Sequence, residues 1–479
     1  MEAGGDDDVS SVMDPAQWPT NLGSERDWGF CAEPNPHLNG RALPMSMGKV
    51  LGGGSSINVS VWARGHKADW EFFAEQAGDP GWGYDSALDI YRRIENWCGP
   101  ADPTRRGTGG PVDVAPARDP HPTALAVVEG AASIGVRAFD SPNGEMMEAP
   151  RGAAVIDTRV WDGKRQSVFR SYTYPYMDRP NLTVLTNAAV RRVVLDGDRA
   201  SGVEFTYRGA VHTVTATAEV VLSMGAINTP KTLMLSGIGD AEHLRRFGIP
   251  VAVHLPGVGR NFQDHLGFTS VWELSDPQVP TTASQATMYW TSRQELDHPD
   301  LFACQLACPF SSPEANARFG APDNVWVLFG ALSHPQSRGT VELTGAGFDD
   351  PIRLCANGLS HPDDIDTAVR CVESMRELGQ SQPVRRLVKR EVMPGDLKGQ
   401  DLQAYLRDSA VTYWHQAGTA KMGSDAMSVV DGRLRVYGIE GLRVADASIM
   451  PRLTTGNTMA PCVVIGERAA ELMTQRSVP

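Results

Sequence analysis

Two polar side chains near the C-terminus are set where they could do chemistry. His415 lies in Tyr413-Trp414-His415-Gln416-Ala417-Gly418-Thr419, and Asn457 lies in Thr455-Gly456-Asn457-Thr458. A neutral imidazole, with an ordinary pKa near ~6.5, is matched to taking the proton of an alcohol hydroxyl, which is far too weak an acid to lose it unaided. An amide can hydrogen-bond the oxygen that gives up the proton and orient it without competing for the proton. A lone histidine is more often a satisfied core residue than a base, so the elements around it have to decide. The other histidines read as structural. His265 is a hydrogen-bonding group, His361 before Pro362 is a turn or cap residue, and His37, His66 and His334 show no partner pattern.

Several stretches could position such a pair. Gly52-Gly53-Gly54-Ser55-Ser56 lets backbone approach a ligand closely and present several N–H groups together, and an apolar segment, Ile57-Asn58-Val59-Ser60-Val61-Trp62, follows it. Between residues 182 and 222 the apolar period is two. Leu182–Thr186, Val190–Leu195, Gly202–Tyr207 and Val211–Thr217 read as a β-meander, closed by Glu219–Leu222. That last strand runs into Gly225, with Thr229 and Pro230 suited to the N-cap and first position of a helix and Gly237 to its end. A strand–glycine–helix unit of this kind can offer a helix N-terminus to a phosphate. Near the C-terminus Asn457 and Thr458 suit a helix cap, Pro461 suits a first turn, and Ile465, Ala469, Leu472 and Met473 share one face.

Elsewhere, residues 69–93 read as two helices broken at Gly78-Asp79-Pro80-Gly81, and 125–134 as a short helix. Val325–Phe329 and Thr340–Leu343 read as strands and 363–378 as a helix. The first forty residues and 98–122 read as loop, and Asp6-Asp7-Asp8 as a solvated charge run.

The chain has 479 residues, 41% apolar and 21% charged, enough for a large core and two or three domains. Its formal charge of -13 argues against nucleic acid or an anionic membrane as the main partner. Seven scattered cysteines make no disulfide framework, and Cys304-x-x-x-Cys308 lacks the second pair of a zinc site, so no metal centre is expected. The expectation is reduced, mostly buried thiols in a cytoplasmic protein. No apolar run reaches the roughly 18 residues of a membrane span, and no signal-peptide pattern opens the chain.

Taken in order, the motifs resemble the glucose–methanol–choline (GMC) family of flavin-dependent oxidoreductases. The residues that carry the resemblance are Gly48–Asn58 with Arg64-Gly65, Gly225–Pro230 through Gly239, Pro256–His265, and the blocks around His415 and Asn457. The resemblance implies an α/β fold, with a discontinuous Rossmann-like FAD-binding domain (1–70, 150–268 and 428–479). A substrate domain of antiparallel sheet and helices would take 71–149 and 269–427. At the front only Met1-Glu2-Ala3-Gly4 matches the family, whose first strand, glycine turn and helix, roughly thirty residues, are not seen. The expectation there is a truncated, processed or mis-started reading frame that holds FAD weakly or not at all.

Carried over by position, the resemblance puts Glu2 on the adenosine ribose and the Val190 backbone on the adenine. Gly54, Asn58 and Val59 should lie along the flavin ring, Asp446 and Ala447 near the ribityl–pyrophosphate, and Trp414 and Thr458 beside the cofactor. Ile57 stands where some members attach the flavin through histidine, so FAD is expected to be non-covalent. Aimed at the flavin, the last helix's N-terminus would stabilise the charge that builds up on hydride transfer. The implied activity is oxidation of an alcohol to a carbonyl, with His415 as base and Asn457 as hydrogen-bond partner. The electron acceptor is O₂ or another molecule. Trp414 and Trp62 suggest a partly aromatic pocket, and the His415 block looks most like aryl-alcohol, furfural-alcohol and pyridoxine-type oxidases. The alternatives are a GMC-like hydroxynitrile lyase and an inactive or split flavoprotein fragment.

Overall fold

The computed structural model describes residues 1–475. The first forty residues hold short helical turns at Ser10–Met13, Pro15–Asn21 and Pro36–Leu38, where loop was expected. The acidic run near the start is not all solvated: Asp7 is fully buried. The reason is Arg170, whose Nε and Nη2 both reach the Asp7 carboxylate at 2.8 Å. A carboxylate out of water needs such a partner.

Helices α1 (Lys67–Ala77) and α2 (Tyr84–Ile94) flank the expected Gly/Pro break. His66 fixes the start of α1: its Nδ1 accepts from Ala68 N–H while the Asp69 carboxylate accepts from His66 N–H. Within 98–122, where loop was expected, Val112–Pro116 forms a strand beside Glu95–Trp97. Its flanking Gly and Pro conceal it in the sequence.

Strand β1 (Gly152–Val155) lies within the range expected of the FAD-binding domain, yet it forms an edge of the largest sheet. The meander has three strands, β2 (Ala188–Asp196), β3 (Arg199–Tyr207) and β4 (Ala210–Thr215). Leu182–Thr186 is not one of them; Leu185 instead accepts a backbone bond from Glu2 N–H at 2.8 Å. Strand β5 (Val220–Leu222) does not close the meander either, but pairs in parallel with Leu442–Val444. Alternation fixes which face a strand buries and leaves its partner open.

Helix α3 (Gly225–Leu235) follows β5 and starts one turn earlier than Thr229 and Pro230 suggested, so Pro230 is inside it. The Ala226 carbonyl, which a proline cannot serve, accepts instead from Thr419 Oγ1 at 2.6 Å. Asp446 Oδ2 holds Gly225 N–H at 2.9 Å and Thr229 Oγ1 at 2.6 Å. The first N–H of α3, that of Gly225, is therefore taken by protein.

The large sheet adds β6 (Leu266–Leu274), β7 (Thr281–Trp290), β8 (Leu301–Ala307), β9 (Val325–Leu332), β10 (Val388–Met393) and β11 (Val411–Thr412). Its antiparallel order is β10-β6-β9-β8-β7-β1, with β11 also on β6. Every residue of β8 and β9 is buried, because α4 (Pro362–Gly379) and other helices cover the sheet. His361 caps α4 through Nδ1, as expected.

Strand β12 (Leu442–Val444) and helix α5 (Met459–Thr474) end the described chain. Ile465, Ala469 and Leu472 of α5 are buried, but Met473, expected on the same face, is 43% exposed. Thr458 precedes the helix without a capping hydrogen bond from its side chain. Of the seven unpaired cysteines only Cys304 and Cys371 are buried, fewer than expected.

Two large apolar cores result. One is centred on the big sheet and includes Trp272, Trp326 and Tyr413; the other includes Trp70, Val444, Ile465 and Ala417. The chain from 413 to 417 passes from one core to the other. His415 is at the seam. The molecule is thus α/β, with a discontinuous part around the second core and an antiparallel-sheet part around the first.

Candidate active site

The loop that carries His415 is wrapped around the carboxylate of Asp264. Asp264 accepts the backbone N–H of His415 at 2.8 Å and the hydroxyl of Thr412; that hydroxyl in turn accepts Trp414 N–H at 2.7 Å. Trp414 is held at φ +59°, a left-handed conformation uncommon for a bulky residue. The turn swings the imidazole of His415 inward, where it is 8% exposed. Flanking backbone pairs, Tyr413 N to His265 O and Ala417 N to Gln263 O, clamp this loop to the 261–265 segment.

That clamp brings His265 against the candidate base. His265 Nδ1 is 2.8 Å from His415 Nδ1, and His265 Nε2 is 2.9 Å from the carbonyl oxygen of Ser333. The protons follow from chemistry. A carbonyl only accepts, so His265 Nε2 carries hydrogen. Burial holds the His265 imidazole neutral, lowering its pKa to about 3, so its Nδ1 is bare and accepts from Nδ1–H of His415. The lone pair of His415 is therefore left on Nε2. That nitrogen is 3.3 Å from the amide nitrogen of Asn457. Burial first, and His265 second, hold the His415 pKa well below the ordinary value.

The expected structural role of His265 thus has a specific content: it sets the tautomer of His415. The signal was in the sequence, in the Asn261–His265 motif, but its partner is 150 positions away. Asp264 likewise could not be singled out without seeing the loop it anchors. Burial raises its carboxyl to about 7.

The other candidate residues fall into linked groups. Glu2 Oε1 accepts Gly4 N–H at 2.7 Å, and the Glu2 carbonyl accepts Ala188 N–H at the start of β2, two residues before Val190. Next to Glu2, Gly5 pairs with Val50 and Leu51, just before the glycine turn. Gly53–Ser56 forms a single tight turn. Asn58 Oδ1 accepts from Arg165 Nη1 at 3.0 Å and Arg159 Nη2 at 3.3 Å, and Val59 is half-buried beside it. Asp446 is engaged by α3, while the Ala447 carbonyl accepts Gly418 N–H at 3.0 Å, three residues past His415. Trp414 meets Trp18 edge-on at 5.9 Å, with its indole N–H buried and unpartnered. Trp62, expected in an aromatic pocket, is instead fully buried with its N–H on Glu95 Oε1. Thr458 and Asn457 stand at the first turn of α5.

These residues fit an FAD. The first turn of α5 has no capping side chain, so its N–H groups are available to an acceptor edge beside Asn457. Gly54 is exposed, with open space where a Cβ would stand. No group of three or more metal-ligating side chains occurs among the described residues, and no described helix is long and apolar enough to cross a membrane.

Comparison with known proteins agrees across the whole chain. Sequence models of the GMC oxidoreductase family match residues 11–267 and 335–466. An uncharacterized GMC-type oxidoreductase of Mycobacterium bovis is 37% identical, covering 99% of this chain and 93% of its own. An oxygen-dependent choline dehydrogenase of Sinorhizobium fredii is 34% identical, over 98% of this chain and 90% of its own. Among solved structures, pyridoxine 4-oxidase from Mesorbium loti superposes with a TM-score of 0.93 at 30% identity, covering 98% of this chain and 92% of that one. By these matches and by its fold, the chain belongs to the GMC oxidoreductase family and is an FAD-dependent oxidoreductase.

Proposed function

We propose that the protein oxidises the CH–OH group of a small alcohol to a carbonyl, with His415 as general base and Asn457 as the hydrogen-bond partner of the reacting oxygen. One observation carries this reading: the Ser333–His265–His415 chain leaves the free lone pair of His415 on Nε2, beside the amide of Asn457. Bound FAD supplies the hydride acceptor. As the C–H bond breaks, the hydroxyl proton passes to His415 Nε2 and the oxygen becomes carbonyl, so two electrons and two hydrogens leave the alcohol. Burial disfavours the His415 cation, so near neutral pH the base needs no prior deprotonation. Asn457 Nδ2, released from Nε2 by the incoming hydroxyl, donates to the alcohol oxygen and fixes the C–H direction. Turnover would require O₂ or another electron acceptor.

An aryl or other apolar primary alcohol is the substrate we favour. Trp414, the residue before the base, gathers Trp18 and Phe310 around its ring. The likeness to pyridoxine 4-oxidase points the same way, since pyridoxine is an aromatic ring bearing alcohols. We further propose that FAD is held non-covalently, Ile57 having no group to attach it, and that Gly54, Asn58, Val59, Glu2, Val190, Trp414, Asp446, Ala447 and Thr458 line its site. The FAD-binding part would comprise 1–70, 150–268 and 428–479, except that β1 joins the substrate part.

Anaerobic mixing of the FAD-bound protein with aryl alcohols should bleach the flavin. His415→Ala should lose this by a factor of about 10²–10⁴ while keeping FAD bound. Full bleaching in that variant would remove His415 from the mechanism. Cyanohydrin cleavage without bleaching would make the protein a lyase.

A further inference from the structure

The reaction pair is gripped from one place. Ser333 and His334 follow β9 directly. The Ser333 carbonyl ends the chain that sets the His415 tautomer. Its neighbour His334 reaches the other way, its Nε2 lying 2.7 Å from Asp69 Oδ1. Asp69 is fully buried, and its second oxygen, Oδ2, accepts the backbone N–H of Thr455 at 2.7 Å and that of His66 at 2.8 Å. Thr455 is two residues before Asn457. The turn between them is confined on its other side as well: Gly456 sits at φ +81°, and a Cβ there would be 2.6 Å from Tyr289 Oη. Arg452 adds its charge 3.5 Å from Asp69 Oδ1.

We propose that His334 and Asp69 are positioning residues for the amide of Asn457, so that the Ser333–His334 dipeptide aligns base and hydrogen-bond partner on one rigid strand end. The proposal rests on the assignment of His415 and Asn457 above. Loss of the His334 arm leaves the base and its tautomer intact and frees the 454–457 turn to shift. Misplacement by about 1 Å costs on the order of 10²-fold in rate. The effect belongs in the flavin-reduction step and not in substrate affinity.

The test is a double-mutant cycle on the rate of anaerobic flavin reduction per bound flavin. His334→Asn, whose amide is too short to reach Asp69, should slow reduction about 10- to 100-fold at saturating alcohol with little change in the half-saturating concentration. His334→Gln, whose amide nitrogen falls near the imidazole Nε2, should recover most of the rate. In an Asn457→Ala background, the His334→Asn penalty should vanish, because the group it positions is gone. An equal penalty in both backgrounds, or none in either, overturns the proposal. Asn457→Ala with an unchanged rate would instead remove the assignment of Asn457 itself. Should His334→Asn fail to fold, hydrogen exchange of peptide 453–457 in His334→Gln decides: faster exchange at an unchanged rate overturns the proposal, and faster exchange together with slowed flavin reduction supports it.

Discussion

At the scale of single residues, the proposed chemistry depends on which nitrogen of the His415 imidazole holds a proton. His265→Phe would break the bond to His415 Nδ1 and let the base rotate and change tautomer. We expect flavin reduction by alcohol to slow at least 10-fold, with the flavin spectrum of the oxidised protein unchanged; stopped-flow absorbance measures both. The same buried imidazoles carry a pH signature. Both folded pKa values lie below the ordinary ~6.5, with His265 at about 3. Their share of stability is fully present above ~6.5 and is lost as pH falls toward 3, because the unfolded chain takes up protons the native one refuses. Asp264 has the opposite sign. With its carboxyl raised to about 7, its share is fully present below ~4 and is lost as pH rises to 7. Asp264→Asn should therefore gain on the parent protein in denaturation midpoint between pH 4 and 7, and level off above. A difference constant with pH would remove the assigned shift.

At the scale of elements, the motif around Pro230 shows how a tertiary contact overrides a local rule. Thr419 supplies the donor that α3 lacks at Ala226. Thr419→Val should leave a buried carbonyl unpaired and cost about 1–3 kcal/mol in urea unfolding. Adding Pro230→Ala, which restores a backbone N–H one turn on, should recover part of that loss. Simple additivity of the two changes would mean that this bond is not what holds the helix. The turn at Gly456 is similarly constrained. Gly456→Ala should be destabilised by strain at φ +81° and by contact with Tyr289, and Tyr289→Phe in the same chain should relieve only the contact.

At the scale of the molecule, the site lies where two cores meet, with Tyr413 in one and Ala417 in the other. A cofactor bound there and not by the unfolded chain stabilises it by mass action, by about 2.7 kcal/mol when free FAD is one hundred times its Kd. Melting should therefore shift upward with added FAD, and acid denaturation should release all the flavin into the supernatant, since Ile57 forms no bond to it. Flavin remaining with the precipitated protein would overturn the non-covalent assignment. Much of this molecule was legible in order along the chain: the helices broken at Gly78, three of the expected meander strands, His361 as a cap, and the ordered glycine, histidine and asparagine blocks. These depend on periodicity, caps and turn chemistry, which act over a few residues and are written locally. The partners of β5, the buried Asp7, the early start of α3, and the pairing of His265 with His415 were not legible. Each depends on a group far away in sequence arriving to satisfy a buried charge, a free carbonyl or a ring nitrogen. The sequence by itself determined that a histidine and an asparagine of this kind are present in a GMC framework. Only the tertiary structure decided which nitrogen of His415 is left free, because that is set by a carbonyl at Ser333 that no spacing along the chain predicts.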